Sequence, residues 1–146
     1  VRHMYPDANI PVLQMSIDYN KPASYHYKLS KQLEKLRKKG VLIIGSGNMV
    51  HNLRMVAWDK LNEPEYGYDW AYEINQTFKE KILSHSHNDL MNYEKLGSAA
   101  KLAIPTPDHY FPLIYTLGLQ GKDDEVNFFN DKAVGGSLTM TSVKFG

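Results

Sequence analysis

Short apolar runs alternate with amphipathic stretches along this chain, and their order predicts a fold class. Ile10–Ile17, IPVLQMSI, is mostly apolar and predicts a strand buried on both faces. Over Asp18–Gly40 the period changes. Tyr25, Leu29, Leu33 and Leu36 recur at helical spacing. Pro22 suits the first turn of that helix, Lys35, Arg37, Lys38 and Lys39 suit its C-terminal end, and Gly40 stops it. Val41–Gly47, VLIIGSG, reads as a second apolar strand. A strand, a helical stretch and another strand in succession predict a right-handed crossover between parallel strands.

Further along, Trp70, Ile74, Phe78 and Ile82 predict a helix over residues 69–85. A short helix starts near Asn88. A third follows Thr106 and Pro107, its expected N-cap and first residue, and ends near Gly118 and Gly121. The tail, EVNFFND and GGSLTMTSVKFG, reads as two strands, the second alternating through Leu138, Met140 and Ser142. The expected class is α/β, a mainly parallel sheet flanked by helices. Neither repeats nor an internal boundary appear, so residues 1–146 read as a single domain.

Composition narrows the function classes. Seventeen Lys and Arg against 16 Asp and Glu leave no electrostatic footprint for nucleic acid or an anionic membrane surface. There is no cysteine, which excludes disulfides and thiolate chemistry and fits a cytoplasmic protein. No apolar run approaches the roughly 20 residues that cross a bilayer. The first residue is Val1, in the middle of a polar loop leading to a strand, as expected for a piece of something longer or for a processed start.

The stretch VLIIGSGNMVHNLR, Val41–Arg54, poses the chemical question. A dinucleotide loop needs G-x-G-x-x-G, but Val50 stands where the third glycine belongs. A phosphate-binding P-loop needs G-K-[ST], which is absent. The remaining reading is a strand end that turns sharply and throws His51 to the carboxyl edge of the sheet, where open α/β sheets bind ligands. A histidine hydrogen-bonded at a loop corner is the alternative. His109, in PTPDHYFPL, follows two closely spaced prolines that stiffen its approach. It reads either as a site residue or as a helix-start histidine, with Asp108 as a helix-start carboxylate. His26 reads as packing beside a helix stripe, and His85 and His87 as a solvated helix terminus.

Taken together, HMYPDANIPVLQMSID, GSGNMVHNLR, PTPDHYFPL and GGSLTMTSVKFG occur in this order and at similar spacing in one group. They resemble the C-terminal half of the class III (LigB-type) extradiol ring-cleavage dioxygenases, in the 4,5-DOPA dioxygenase branch. The resemblance implies a non-haem metal enzyme about twice this length that opens a catechol ring with O2. It implies Fe(II) or Zn(II) as cofactor, and a catechol-type small molecule and O2 as partners. His51 then corresponds to a metal ligand in this branch and to the catalytic acid/base in relatives. His109 corresponds to a metal ligand. The family's other metal histidines lie in its N-terminal half, so this chain is expected to carry part of a site and to be inactive alone. Each ligand imidazole needs an outer acceptor, for which Asp108, Asn48 or Asn52 are candidates. A homo-oligomer, or a missing N-terminal half, would cover the expected open sheet edge. The alternative function is a non-catalytic metal- or partner-binding protein on the same scaffold. A zinc hydrolase is weaker, since H-E-x-x-H is absent.

Overall fold

The computed structural model describes all of Val1–Gly146. Helices occupy the middle of the chain: α1 (Ala23–Lys31), α2 (Glu34–Arg37), α3 (Asp69–Leu83), α4 (His87–Met91), α5 (Ser98–Ala103) and α6 (Phe111–Gly118). Four short strands close it: β1 (Val126–Phe129), β2 (Ala133–Val134), β3 (Leu138–Thr139) and β4 (Ser142–Phe145). β1 pairs antiparallel with β4, and β2 antiparallel with β3.

α3 forms where the apolar period is cleanest. Ile74, Phe78 and Ile82 are fully buried on one face, at the i, i+4, i+8 spacing that the sequence shows. They meet Leu90 of α4, Ala99, Ala100 and Ala103 of α5, and Tyr110, Ile114 and Leu117 in and before α6, in one core. Tyr110 is wholly buried and donates its hydroxyl proton to the Leu90 carbonyl at 3.0 Å, which satisfies its one polar atom.

α1 buries a different face from the expected one. Tyr25 is 42% exposed, whereas Ala23, His26 and Ser30 are buried. The reason is close approach to α6. A Cβ on Gly118 would overlap the Ser30 side chain, so small and polar residues, rather than leucines, fill the contact. His26 Nδ1 lies 3.1 Å from the Tyr115 hydroxyl, and its ring stacks obliquely on Phe111.

The expected parallel sheet is corrected by the structure. Residues 10–17 and 41–47 form no strand, and both sheets that do form are antiparallel and two-stranded. A strand exists only with a hydrogen-bonded neighbour, and neither segment finds one within the chain. The expected burial of residues 10–17 on both faces fails for the same reason: Leu13 is 97% exposed. The single parallel pairing is an isolated bridge between Gly67 and Gly136. Arg37 anchors the end of this helical stretch to the tail: it pairs through two nitrogens with Asp124 and donates to the carbonyls of Leu119 and Phe145.

Two buried histidines make the fold acid-sensitive. Burial pushes His26 and His87 below the ordinary imidazole value. His87 spends both ring nitrogens on neutral partners, the Tyr27 hydroxyl and the Gln120 side-chain oxygen, each at 2.8 Å. The unfolded chain therefore binds more protons below about pH 6.5, and stability falls as the pH drops through that value. The slope is roughly 1.4 kcal/mol per pH unit for each ring that stays neutral in the fold. Asp124, held below the usual carboxylate range by Arg37, adds its loss only below about pH 4. Urea unfolding at pH 7.5 and 5.5 is expected to show a lower midpoint at the acid value; an unchanged midpoint contradicts the neutral assignment.

Candidate metal centre

The glycines of Val41–Gly47 serve close packing of backbone on backbone. A Cβ on Gly45 would lie 2.5 Å from the Pro112 carbonyl oxygen, and one on Gly47 would overlap the His109 carbonyl. Glycine at both positions lets this segment lie directly against the turn that carries His109. The Asn48 amide then donates to the His109 carbonyl at 2.8 Å. The phosphate-loop reading is not needed to explain either glycine.

His51 is held from several directions. Its amide donates to the Ala103 carbonyl at 2.9 Å, and it bridges to Leu138 of β3. Asn52 adds a side-chain hydrogen bond to the Leu102 carbonyl at 2.8 Å, and the Ser137 hydroxyl donates to the Asn52 carbonyl at 2.7 Å. The His51 ring is 7% exposed; its Nδ1 lies 3.1 Å from the Asn48 carbonyl and its Nε2 lies 2.9 Å from the Thr106 carbonyl. Burial pushes His51 below the ordinary imidazole value, and His109 acts in the same direction, against the two carbonyls. The ring is thus neutral at pH 7, the form that binds metals.

His109 arrives from the other side. Thr106 is the residue before a 3-10 turn, Pro107–His109, and α6 follows directly. The expected helix is therefore split into this turn and α6. Pro107 takes the first position of the turn as anticipated, while the Thr106 side chain makes no capping bond. His109 is more exposed, and its Nδ1 lies 2.7 Å from the Asp108 carboxylate. Hydrogen bonding to Thr106 holds the Asp108 carboxyl below its ordinary value, with His109 and His51 adding to the effect. The ring centroids of His51 and His109 are 5.1 Å apart at an interplanar angle of 43°.

The structure therefore brings together two histidines separated by 57 intervening positions in the sequence, and leaves the others apart. His85 and His87 stack at 5.6 Å beyond α3, but His87 is buried rather than solvated. His26 is fully buried against α6. Of the outer acceptors anticipated, Asp108 contacts His109 through its carboxylate, and Asn48 contacts His51 through its main-chain oxygen. Thr106, whose carbonyl faces His51, was not legible as a site residue, because a main-chain oxygen belongs to every residue and leaves no mark in a sequence. The arrangement holds no cluster of three or more His, Cys, Asp or Glu side chains suited to a metal ion.

The two imidazoles of His51 and His109 thus lie side by side on a mixed helix and sheet scaffold, each with a ring nitrogen beside an oxygen acceptor. The whole chain, residues 1–146, matches the family described as the catalytic LigB subunit of aromatic ring-opening dioxygenase. The protein belongs to that family. It is 38% identical over 146 residues to a 4,5-DOPA dioxygenase extradiol of Escherichia coli K12, covering 98% of this chain and 52% of the relative. It is 34% identical over 127 residues to the 4,5-DOPA dioxygenase extradiol of Mirabilis jalapa, covering 87% of this chain and 46% of the relative. The chain thus spans about half the length of these relatives. A crystal structure of an uncharacterized Escherichia coli K12 protein superposes with a TM-score of 0.88 at 37% identity, covering 99% of this chain and 59% of that one.

Proposed function

We propose that this chain contributes two metal ligands, His51 and His109, to a centre that opens the ring of a catechol with O2 beside its two hydroxyls. The observation that carries the reading is the spacing of the two rings. Two imidazoles bound to one Zn(II) or Fe(II) through nitrogens at about 2.1 Å have centroids roughly 4.6–5.3 Å apart when the bond angle is about 90–109°. The observed separation of 5.1 Å lies within that range.

Both rings suit the ligand role. His109 directs Nδ1 at the Asp108 carboxylate and His51 places Nδ1 beside the Asn48 carbonyl; with the protons on these nitrogens each Nε2 keeps a lone pair for an ion, and the Thr106 carbonyl, 2.9 Å from His51 Nε2, would have to turn aside to admit it. Fe(II) or Zn(II) would be held by those two atoms and by donors from outside this chain, and would supply Lewis acidity toward a bound catecholate. His51 could alternatively use the same Nε2 lone pair as acid/base for a catechol proton. One lone pair cannot serve both roles at once, and the ring spacing favours the ligand role. With two donors the chain alone is expected to bind metal loosely and to open no ring.

The test is a hybrid protein. This chain replaces the matching segment of the Escherichia coli 4,5-DOPA dioxygenase, and the product is loaded with Fe(II) and given a catechol in air. Appearance of a yellow semialdehyde that depends on oxygen is expected. A folded, metal-loaded hybrid that leaves the catechol intact contradicts the proposal and favours a binding role on this scaffold.

A further inference from the structure

We propose that the Thr106 main-chain carbonyl is a latch on this centre: it closes the Nε2 side of His51, Pro107 holds it there, and an ion reaches Nε2 only when the Thr106–Pro107 peptide turns. The contact itself stands on geometry, and its consequence for metal entry rests on the two-ligand reading above.

His51 Nε2 lies 2.9 Å from the Thr106 oxygen. An ion bonded to Nε2 sits about 2.1 Å from the nitrogen on the same side of the ring, so ion and oxygen compete for one place. A neutral imidazole carries one N–H. Both ring nitrogens of His51 face carbonyl oxygens, and whichever nitrogen lacks the proton sets its lone pair against an oxygen lone pair. The Asn48 contact, at 3.1 Å, is the longer of the two and bears that opposition more easily. The shorter contact therefore takes the proton, and Nε2–H donates to Thr106. Metal entry then needs two changes together. The ring proton passes to Nδ1, where the Asn48 carbonyl accepts it, and the Thr106 carbonyl leaves Nε2.

The second change is resisted by the chain around it. Thr106 has φ −141° and ψ 142°, and ψ aims its carbonyl. A residue before proline is kept in this extended range, because the proline ring clashes with it in the helical range. Pro107 thus closes the main route by which the Thr106 carbonyl could swing away. Both flanks are tied as well. The Ala103 carbonyl accepts the amide of His51 itself at 2.9 Å, and the Tyr110 amide donates to the Pro107 carbonyl at 2.9 Å. Pro105 restricts Ile104 in the same manner but leaves the ψ of Thr106 alone, so the two prolines have separable effects.

Long-range proton–nitrogen NMR at pH 7.5, on the chain stripped of metal with a chelator, reports the His51 tautomer. The wild type is expected to show mainly Nε2–H, and added zinc is expected to convert it to Nδ1–H. A stripped wild-type ring that is mainly Nδ1–H overturns the proposal, and this measurement decides it even if the variants unfold. Stopped-flow mixing with zinc then compares two variants. Pro107→Ala is expected to raise the association rate by about fivefold, the scale of one ordinary hydrogen bond, while Pro105→Ala leaves it unchanged. A general loosening of the segment would instead speed both variants alike, and that result, or no gain in a folded Pro107→Ala chain, overturns the latch. Mainly Nε2–H in a chain that takes up no zinc supports the closed contact and contradicts the two-ligand reading instead.

Discussion

Replacing His51 with alanine in the hybrid enzyme is expected to lower ring-opening turnover by a factor on the order of 10³, the scale of loss for a group that binds the metal or moves a proton. His109→Ala is expected to do the same, because each removes one of the two nitrogens that this chain offers to the ion. The two variants should differ in stability. His51 is 7% exposed and sits between two carbonyls, so its removal leaves at least one of them without a donor, a cost of about 1–3 kcal/mol. His109 is exposed, and its removal should leave the unfolding midpoint nearly unchanged. His85→Ala, remote from the centre, is expected to retain turnover. Equal turnover in wild type and His51→Ala would remove His51 from the mechanism.

Gly47→Ala is expected to damage the fold and the centre together. The added methyl would overlap the His109 carbonyl, a backbone atom that cannot step aside as a flexible side chain can. Relief requires the segment carrying Gly47 and Asn48 to part from the 3-10 turn at Pro107–His109. That movement breaks the Asn48-to-His109 hydrogen bond of 2.8 Å and separates the two imidazoles. Overpacking of this kind costs roughly 1–3 kcal/mol, and zinc affinity should fall with it. Gly97→Ala is a useful contrast, since a Cβ there meets nothing within 4 Å but forces a φ of +109° on an alanine. It should cost stability without changing zinc affinity. If Gly47→Ala binds zinc as the wild type does, the close approach is not what sets the site.

The sequence makes some of this arrangement legible and hides the rest for identifiable reasons. α3 is readable because Ile74, Phe78 and Ile82 recur at strict helical spacing on its buried face, with Asn75 the one buried polar residue beside them. The Pro107 turn is readable because proline has few conformations. α1 misleads because its packed face contains His26 and Ser30, polar residues admitted by the close approach of Gly118. The expected parallel sheet does not form: the apolar runs at 10–17 and 41–47 have strand composition, while pairing depends on a neighbour that composition does not reveal. His51 and His109 stand out by residue type and by their rigid, glycine- and proline-marked surroundings. Their convergence is a tertiary fact, fixed by Asn48 and the Ala103 carbonyl, both contacts through main-chain atoms.

The central claim is that two distant imidazoles share one ion. Anomalous diffraction from crystals of this chain soaked in Zn(II) tests it most directly. The account predicts one zinc within about 2.1 Å of Nε2 on both His51 and His109. Zinc bound to only one of these rings, or held solely elsewhere, as at His85 and His87, would contradict it.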